Sequence, residues 1–326
     1  MYAVIRRPRA FTFLALLVAA GAALAQYPSK PITFIVPNGP GSAADVIMRS
    51  VAEPLSAALR QTVIIENRAG ANTDVGVQQG TKAAPDGYVL FQGSTAMVAN
   101  AAGLLPRVSY DPVKGMTPVS MLGAGSYALV VKASQPWKSL RELVDHAKAN
   151  PGKLSYATGN LGGILYMELL KKAAGIDVIH VPYKATPPAL VDVMSGEVHM
   201  MFTDVGLAAA QVRGGKVRAL ATTSSSGRSP ILPEVPTLDE AGLPGIVDMP
   251  GWLAIYGPPG MPKEIASHLS RAITAVLKRP EVYEKVLANY GFVLEGSSPD
   301  QLGTYTAEQY QRYVRLLKEF NIQPLQ

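Results

Sequence analysis

The chain contains no cysteine, which excludes disulfide staples, thiol nucleophiles and thiolate metal sites together. Histidine is nearly as scarce, with four residues, His146, His180, His199 and His268. His146 and His268 fall in helical patterns and read as surface residues. His180 and His199 fall in strand-like runs, where a hydrogen-bonded structural histidine is commoner than a base or a metal ligand. There is no His-Glu-x-x-His pairing, no Gly-x-Ser-x-Gly, no Gly-x-x-x-x-Gly-Lys-Ser/Thr and no Gly-x-Gly-x-x-Gly at a strand end. These gaps favour binding over catalysis, and the expectation is a protein that is not an enzyme and carries neither cofactor nor metal. Charge is also thin: 17% of residues are charged and the net charge is +6. Three of the basic residues, Arg6, Arg7 and Arg9, lie where no acid occurs, so the remainder has 27 basic residues against 24 acidic. No dense Lys/Arg stripe interleaved with aromatics is present, which argues against a nucleic-acid partner. Beyond the N-terminus no apolar run approaches the roughly 18 residues of a membrane span.

What the N-terminus does hold is a pattern of its own. Basic residues precede the apolar run Phe11 to Ala20, and Ala23-Leu24-Ala25 follows. This order of basic, apolar and small-residue segments predicts a secretory signal peptide over residues 1–25, cleaved after Ala25, and an exported periplasmic protein.

The remainder, from Gln26, has the length of about two domains. Short apolar runs alternate with helical patterns, which reads as α/β. Strand candidates are Ile32 to Val36, Val63 to Ile65, Tyr88 to Phe91, Tyr127 to Val131, Leu154 to Ala157, Val178 to Val181, His199 to Phe202, Val217 to Ala221 and Gly251 to Tyr256. Several are apolar enough for parallel strands buried on both faces. Helical patterns cover Ala44 to Leu59, Asp74 to Lys82, Ser139 to Ala149, Gly163 to Ala174, Pro187 to Ser195, Gly206 to Arg213, Lys263 to Lys278, Pro280 to Asn289 and Pro299 to Asn321. Ser139 and Glu142 are spaced as a capping box, and Asn150-Pro151-Gly152 stops the helix that follows them. Glycines flank candidate strands near Gly123 to Ser126 and near Asp248 to Gly251. Crossings there predict a discontinuous first lobe, 26–124 plus 250–326, and a second lobe, 125–249.

Two strand-loop-helix junctions stand out. The first runs through Pro37, Asn38, Gly39, Pro40, Gly41, Ser42 and Ala43 to Asp45; the second through Thr158, Gly159, Asn160, Leu161, Gly162 and Gly163. A helix N-terminus carries unpaired N–H groups and partial positive charge, so a small-residue loop there lets an anion such as a carboxylate reach the backbone. If the two junctions lie on different lobes, their helix ends face each other across a cleft. Asp45 is placed to tie the loop's own N–H groups, and Arg49 to pair with it at i+4. Glu66-Asn67-Arg68 is placed to brace the cleft floor. Asp204 follows the Met200 to Phe202 run, and ligands of open α/β sheets bind beyond strand ends, which brings it to the cleft.

The ordered series of segments along the chain resembles one family. Tyr27-Pro-Ser-Lys-Pro-Ile32, Ile35-Val-Pro37 with Pro40-Gly41 and Asp45, Glu66-Asn-Arg68, Pro85-Asp-Gly-Tyr88, Tyr110-Asp-Pro112, His180-Val-Pro-Tyr-Lys184, Gly215 to Ala221, Leu232 to Thr237 and Glu240 to Pro244 are similar to the Bug (TctC) periplasmic solute receptors of tripartite tricarboxylate transporters. The resemblance implies a periplasmic-binding-protein-like, two-lobed α/β receptor, its lobes joined by two crossing strands. It implies a small carboxylated solute held in the cleft by backbone N–H groups and waters. Pro37 to Asp45 matches the main carboxylate-binding loop, and Gly93, Ser94 and Thr95 and the Thr158 to Gly163 segment match other cleft-lining stretches. The sequence departs from the family pattern at Ser42, usually glycine, at Ile164, usually histidine, and at Thr203, usually aspartate, with Asp204 beside it. The expected partners are membrane transporter subunits or, alternatively, a sensor kinase that reads occupancy, and the receptor is expected to be a monomer. An exported enzyme acting on a carboxylated substrate is the weaker alternative.

Overall fold

A computed structural model describes residues 27–183, 186–223, 227–244, 246 and 250–324. The signal-peptide expectation, Lys184, and part of the return crossing expected near Asp248 lie outside the described residues. The strands are β1 (Ile32–Val36), β2 (Val63–Asn67), β3 (Val89–Ser94), β4 (Thr117–Gly125), β5 (Tyr127–Lys132), β6 (Ser155–Thr158), β7 (Ile179–Pro182), β8 (Met200–Asp204), β9 (Val217–Thr222), β10 (Gly251–Gly257) and β11 (Phe292–Leu294). The helices are α1 (Ala43–Leu59), α2 (Asp74–Thr81), α3 (Thr95–Ala99), α4 (Leu140–Ala149), α5 (Leu161–Ala174), α6 (Thr186–Ser195), α7 (Val205–Arg213), α8 (Lys263–Leu277), α9 (Pro280–Tyr290) and α10 (Pro299–Glu319). A single 3₁₀ turn precedes α2, and a π turn follows α3.

The strands form two sheets, β11-β4-β10-β3-β1-β2 and β7-β6-β8-β5-β9, the cores of two α/β lobes. The chain leaves the first sheet at Gly125 and joins the second at Tyr127, then returns between Thr222 and Gly251. Both sheets are mixed, which corrects the parallel reading. The β1–β2, β1–β3, β6–β7 and β6–β8 pairs are parallel, whereas β5 and β10 run antiparallel to both of their neighbours. The antiparallel strands are the ones that adjoin the crossings, because a chain arriving from the other lobe enters the sheet from the opposite end.

Alternation along β1 explains how one strand serves two layers. Ile32, Phe34 and Val36 pack with Ile47, Val51, Leu55 and the α8 residues Leu269 and Ile273, while Ile35 turns to Val77 and Phe91. Such double-sided burial drives the fold, at about 25 cal/mol per Å² of apolar surface. The second lobe repeats the plan, with Leu129 and Val131 facing α4 and α5, and Ala128 and Val130 facing α6 and α7. One apolar cluster runs through both lobes, from Phe91 and Trp252 by way of Tyr127 to Tyr166 and Phe202.

Two strands escaped the sequence reading. β4 carries Pro118, Gly123 and Gly125, residues that ordinarily punctuate strands. Gly123 is required there: a Cβ would lie 2.0 Å from the Val293 carbonyl oxygen of β11. The capping box at α4 is half formed, since Ser139 Oγ accepts from the Glu142 amide but the Glu142 carboxylate accepts from Lys138 N, one residue earlier than the motif requires.

Candidate functional site

A cavity of about 500 Å³ opens between the two lobes, within the size range of small-molecule sites. Four stretches of the first lobe line it: Gly41 to Ala44 with Ile47, Ser94 to Ala96, Gly251 to Leu253, and Asn289, Tyr290 and Phe292. Gly125 and Ser126 form its floor where the chain crosses, and Pro187, Asp204, Gly206 and Leu207 complete it from the second lobe.

The first wall is set by a clasp of side chains behind it. Gly41 adopts φ +79, a left-handed conformation that favours glycine, and this turns the chain into α1. Ser42 caps the helix, its Oγ accepting from the Asp45 amide at 3.2 Å. Asp45 is 2% exposed and lies behind the wall. Its carboxylate accepts from the Gly41 amide (2.9 Å), Arg49 Nε (3.1 Å) and Asn67 Nδ2 (2.8 Å). Asn67 also donates to the Asn38 carbonyl at 3.0 Å and accepts from Arg49 Nη2 at 2.9 Å. Burial works against the Asp45 carboxylate, but these hydrogen bonds and the Arg49 charge outweigh it and hold its pKa below the usual carboxylate range. With its own acid satisfied in this way, the first turn of α1 leaves the amides of Ala43 and Ala44 without an intrahelical acceptor, in two residues that line the cavity.

Thr95 joins the second stretch to the third: its Oγ1 accepts from Trp252 N at 3.1 Å and donates to the Pro250 carbonyl at 3.4 Å. Gly93 lies beneath, where a Cβ would come within 2.4 Å of the Tyr256 ring. The wall across the cavity ends in Asp204, the last residue of β8. Val205 N donates to the Ser126 carbonyl at 3.0 Å, which fixes the start of α7 beside the crossing. Burial pushes the Asp204 carboxyl above its usual range. Tyr127, its register partner on β5, is raised in turn by burial and by the Asp204 charge.

Of the residues singled out in the sequence, Gly41, Ser42, Ala43, Ser94, Thr95 and Asp204 line the cavity. Asn38, Gly39, Pro40, Asp45 and Gly93 shape the wall without lining it, and Thr203 is buried with its hydroxyl unpaired. The second junction does not reach the cavity wall. Asn160 caps α5 by accepting from Gly163 N at 2.8 Å, Thr158 Oγ1 is bonded to His180 Nε2 at 2.6 Å, and Gly159 adjoins them. Gly162 faces the Tyr127 ring so closely that a Cβ would lie 2.4 Å from it. The helix start that reaches the cavity from the second lobe is therefore that of α7. Gly206, Leu207, Asn289 and Tyr290 were missed; extending the strand-end rule from Asp204 into the following helix would have found the first two. His180 stacks on Tyr156, and His199 Nδ1 accepts from Ser155 N, so both are structural. Among the described residues no His/Cys/Asp/Glu group is arranged to hold a metal.

Comparison with known proteins bears on the whole chain. BugT of Bordetella pertussis is 34% identical over 305 residues, covering 93% of each chain. A solved R. palustris protein with adipate superposes with a TM-score of 0.81 at 30% identity, covering 92% of this chain and all of that one. MatC from Rhodopseudomonas palustris, with bound malate, gives a TM-score of 0.74 at 28% identity, covering 89% of this chain and all of that one. The family model for the tripartite tricarboxylate transporter family receptor, TctC, matches residues 47–322, and with these relatives it establishes that the chain belongs to the TctC family of periplasmic solute-binding receptors.

Proposed function

We propose that the protein captures a small organic carboxylate in the interlobe cavity and presents it to a membrane carrier of the tripartite tricarboxylate type. The observation that carries this reading is the first turn of α1, whose residues Ala43 and Ala44 line the cavity with amides that have no intrahelical acceptor, while Asp45, the acid that would repel an anion, is paired behind the wall with Arg49 and hydrogen-bonded by Asn67. Adipate and malate in the relatives support the same class of ligand. In this reading the lobes comprise residues 26–124 with 250–326, and 125–249, and they close on the solute by a hinge that includes Ser126. The receptor is exported through its N-terminal signal pattern to the periplasm, where it binds its solute without turning it over.

The test is a thermal-shift screen of the exported protein against carboxylic acids and their neutral amides. A solute at 100 times its Kd adds about 2.7 kcal/mol of stability. A shift with an acid and none with its amide is the expected result. Stabilisation by amides and acids alike, or by sugars alone, overturns the carboxylate reading.

A further inference from the structure

The two ends of the cavity differ in electrostatic character. At one end stand the α1 amides and Ser42. At the other stands Asp204, the one charged side chain among the described lining residues. Its side chain makes no capping hydrogen bond to α7, and the cavity wall offers no described cation to pair with it. The first turn of α7 by itself would supply positive potential here, but α9 opposes it. The α9 C-terminal residues Asn289 and Tyr290 line the same end, and the Tyr290 carbonyl oxygen would lie 2.5 Å from a Cβ on Gly206. The last carbonyls of a helix have no intrahelical donor and carry partial negative charge. A carboxylate and a helix C-terminus thus meet at one end of a largely apolar cavity, and a helix N-terminus stands at the other.

We infer that the cavity is built for a ligand carrying a carboxylate at one end and an ammonium group at the other, the ammonium meeting Asp204 and the Tyr290 carbonyl. This rests on the reading of the α1 end as a carboxylate site. A partly buried carboxylate with no cation beside it is costly, and here the ligand itself supplies the pair. An ammonium beside Asp204 offsets the desolvation that raises its pKa. A dicarboxylate of the same length sets two like charges together at that end, so Asp204 selects by repulsion as well as by attraction.

Isothermal titration of the exported protein, dialysed free of carried-over solute, tests this with three matched series. These are ω-amino acids from β-alanine to 6-aminohexanoate, dicarboxylates from malonate to adipate, and the corresponding alkanoates. The best ω-amino acid is expected to bind at least tenfold more tightly than the dicarboxylate and the alkanoate of equal chain length. In Asp204→Asn its affinity falls at least tenfold and that of the dicarboxylate rises. A dicarboxylate preferred by the wild-type protein overturns the inference and leaves the carboxylate reading standing. So does tighter binding of α-amino acids, whose two charges share one carbon. Equal binding of an ω-amino acid and its methyl ester overturns the carboxylate reading at the α1 end. The wild-type series decides the matter even if the variant folds poorly.

Discussion

The loop before α1 and the loop before α5 follow the same local rule and meet different fates. Each leads from a parallel strand through small residues to a capped helix, and their strands hold matching places: β1 is separated from the crossing strand β10 by β3, and β6 from β5 by β8. The first loop opens on the cavity. The second is shut off by Tyr127, whose ring lies between Gly162 of α5 and Gly251 of the cavity wall. Where Tyr127 stands in the second lobe, the crossing in the first has only Gly125 and Gly251. A helix N-terminus becomes a binding site by what is left out in front of it.

The strongest way to break this contrast is Tyr127→Ala. Removing a ring that is 7% exposed is expected to destabilise by about 3–4 kcal/mol, read by urea denaturation, while connecting the α5 start to the cavity and admitting bulkier acids. Unchanged ligand size selectivity in a folded variant would show that the ring is not the barrier. Asp45→Ala leaves the Gly41 amide, Arg49 and Asn67 without their shared acceptor and is expected to cost about 2–3 kcal/mol, together with most of the binding. Gly41→Ala is milder for stability, about 1 kcal/mol for a Cβ at positive φ. Its neighbourhood is open, so its effect should appear chiefly as lost affinity in titration.

The smallest effect concerns sign. The pKa of Asp45 is lower in the folded chain, so its contribution to stability is present above the unfolded carboxylate value and is lost as pH falls through its folded pKa. That of Asp204 is higher in the folded chain, so its contribution is full below the unfolded value and is lost as pH rises through its folded pKa. Tyr127, its register partner on β5, faces Asp204. Asp204→Asn should therefore make the empty protein more stable relative to wild type at pH 7, with the difference shrinking towards pH 4. Parallel stability curves across that range would contradict this placement of Asp204.

Much of this was legible in the sequence because it is local. The β1-loop-α1 junction, the Ser139 cap and the strand-end position of Asp204 each depend on residues a few places apart. β4 was missed because Pro118 and the glycines that permit its close approach to β11 are also the residues that end strands. The second loop lies behind Tyr127, a residue 35 positions before Gly162, and local sequence says nothing about what stands in front of a helix. The use of α7 follows from the β5–β8 pairing, a long-range contact of the same kind.

The last helix carries a consequence of a different sort. α10 rests on the first lobe, where Thr306 shares a 2.6 Å hydrogen bond with Tyr256 and Leu302 is buried. Its far end reaches the second lobe through the ion pair of Glu319 with Lys172 on α5. A rod of 21 residues, about 30 Å long, therefore spans the hinge as a strut whose outer end is held by an exposed pair worth under about 1 kcal/mol. Lys172 also lies over the Phe320 ring at 5.6 Å, and if the lobes part on the proposed hinge these are contacts that must break. Fluorophores at positions 172 and 319, remote from every cavity residue, would turn the occupancy of the receptor into an optical distance signal.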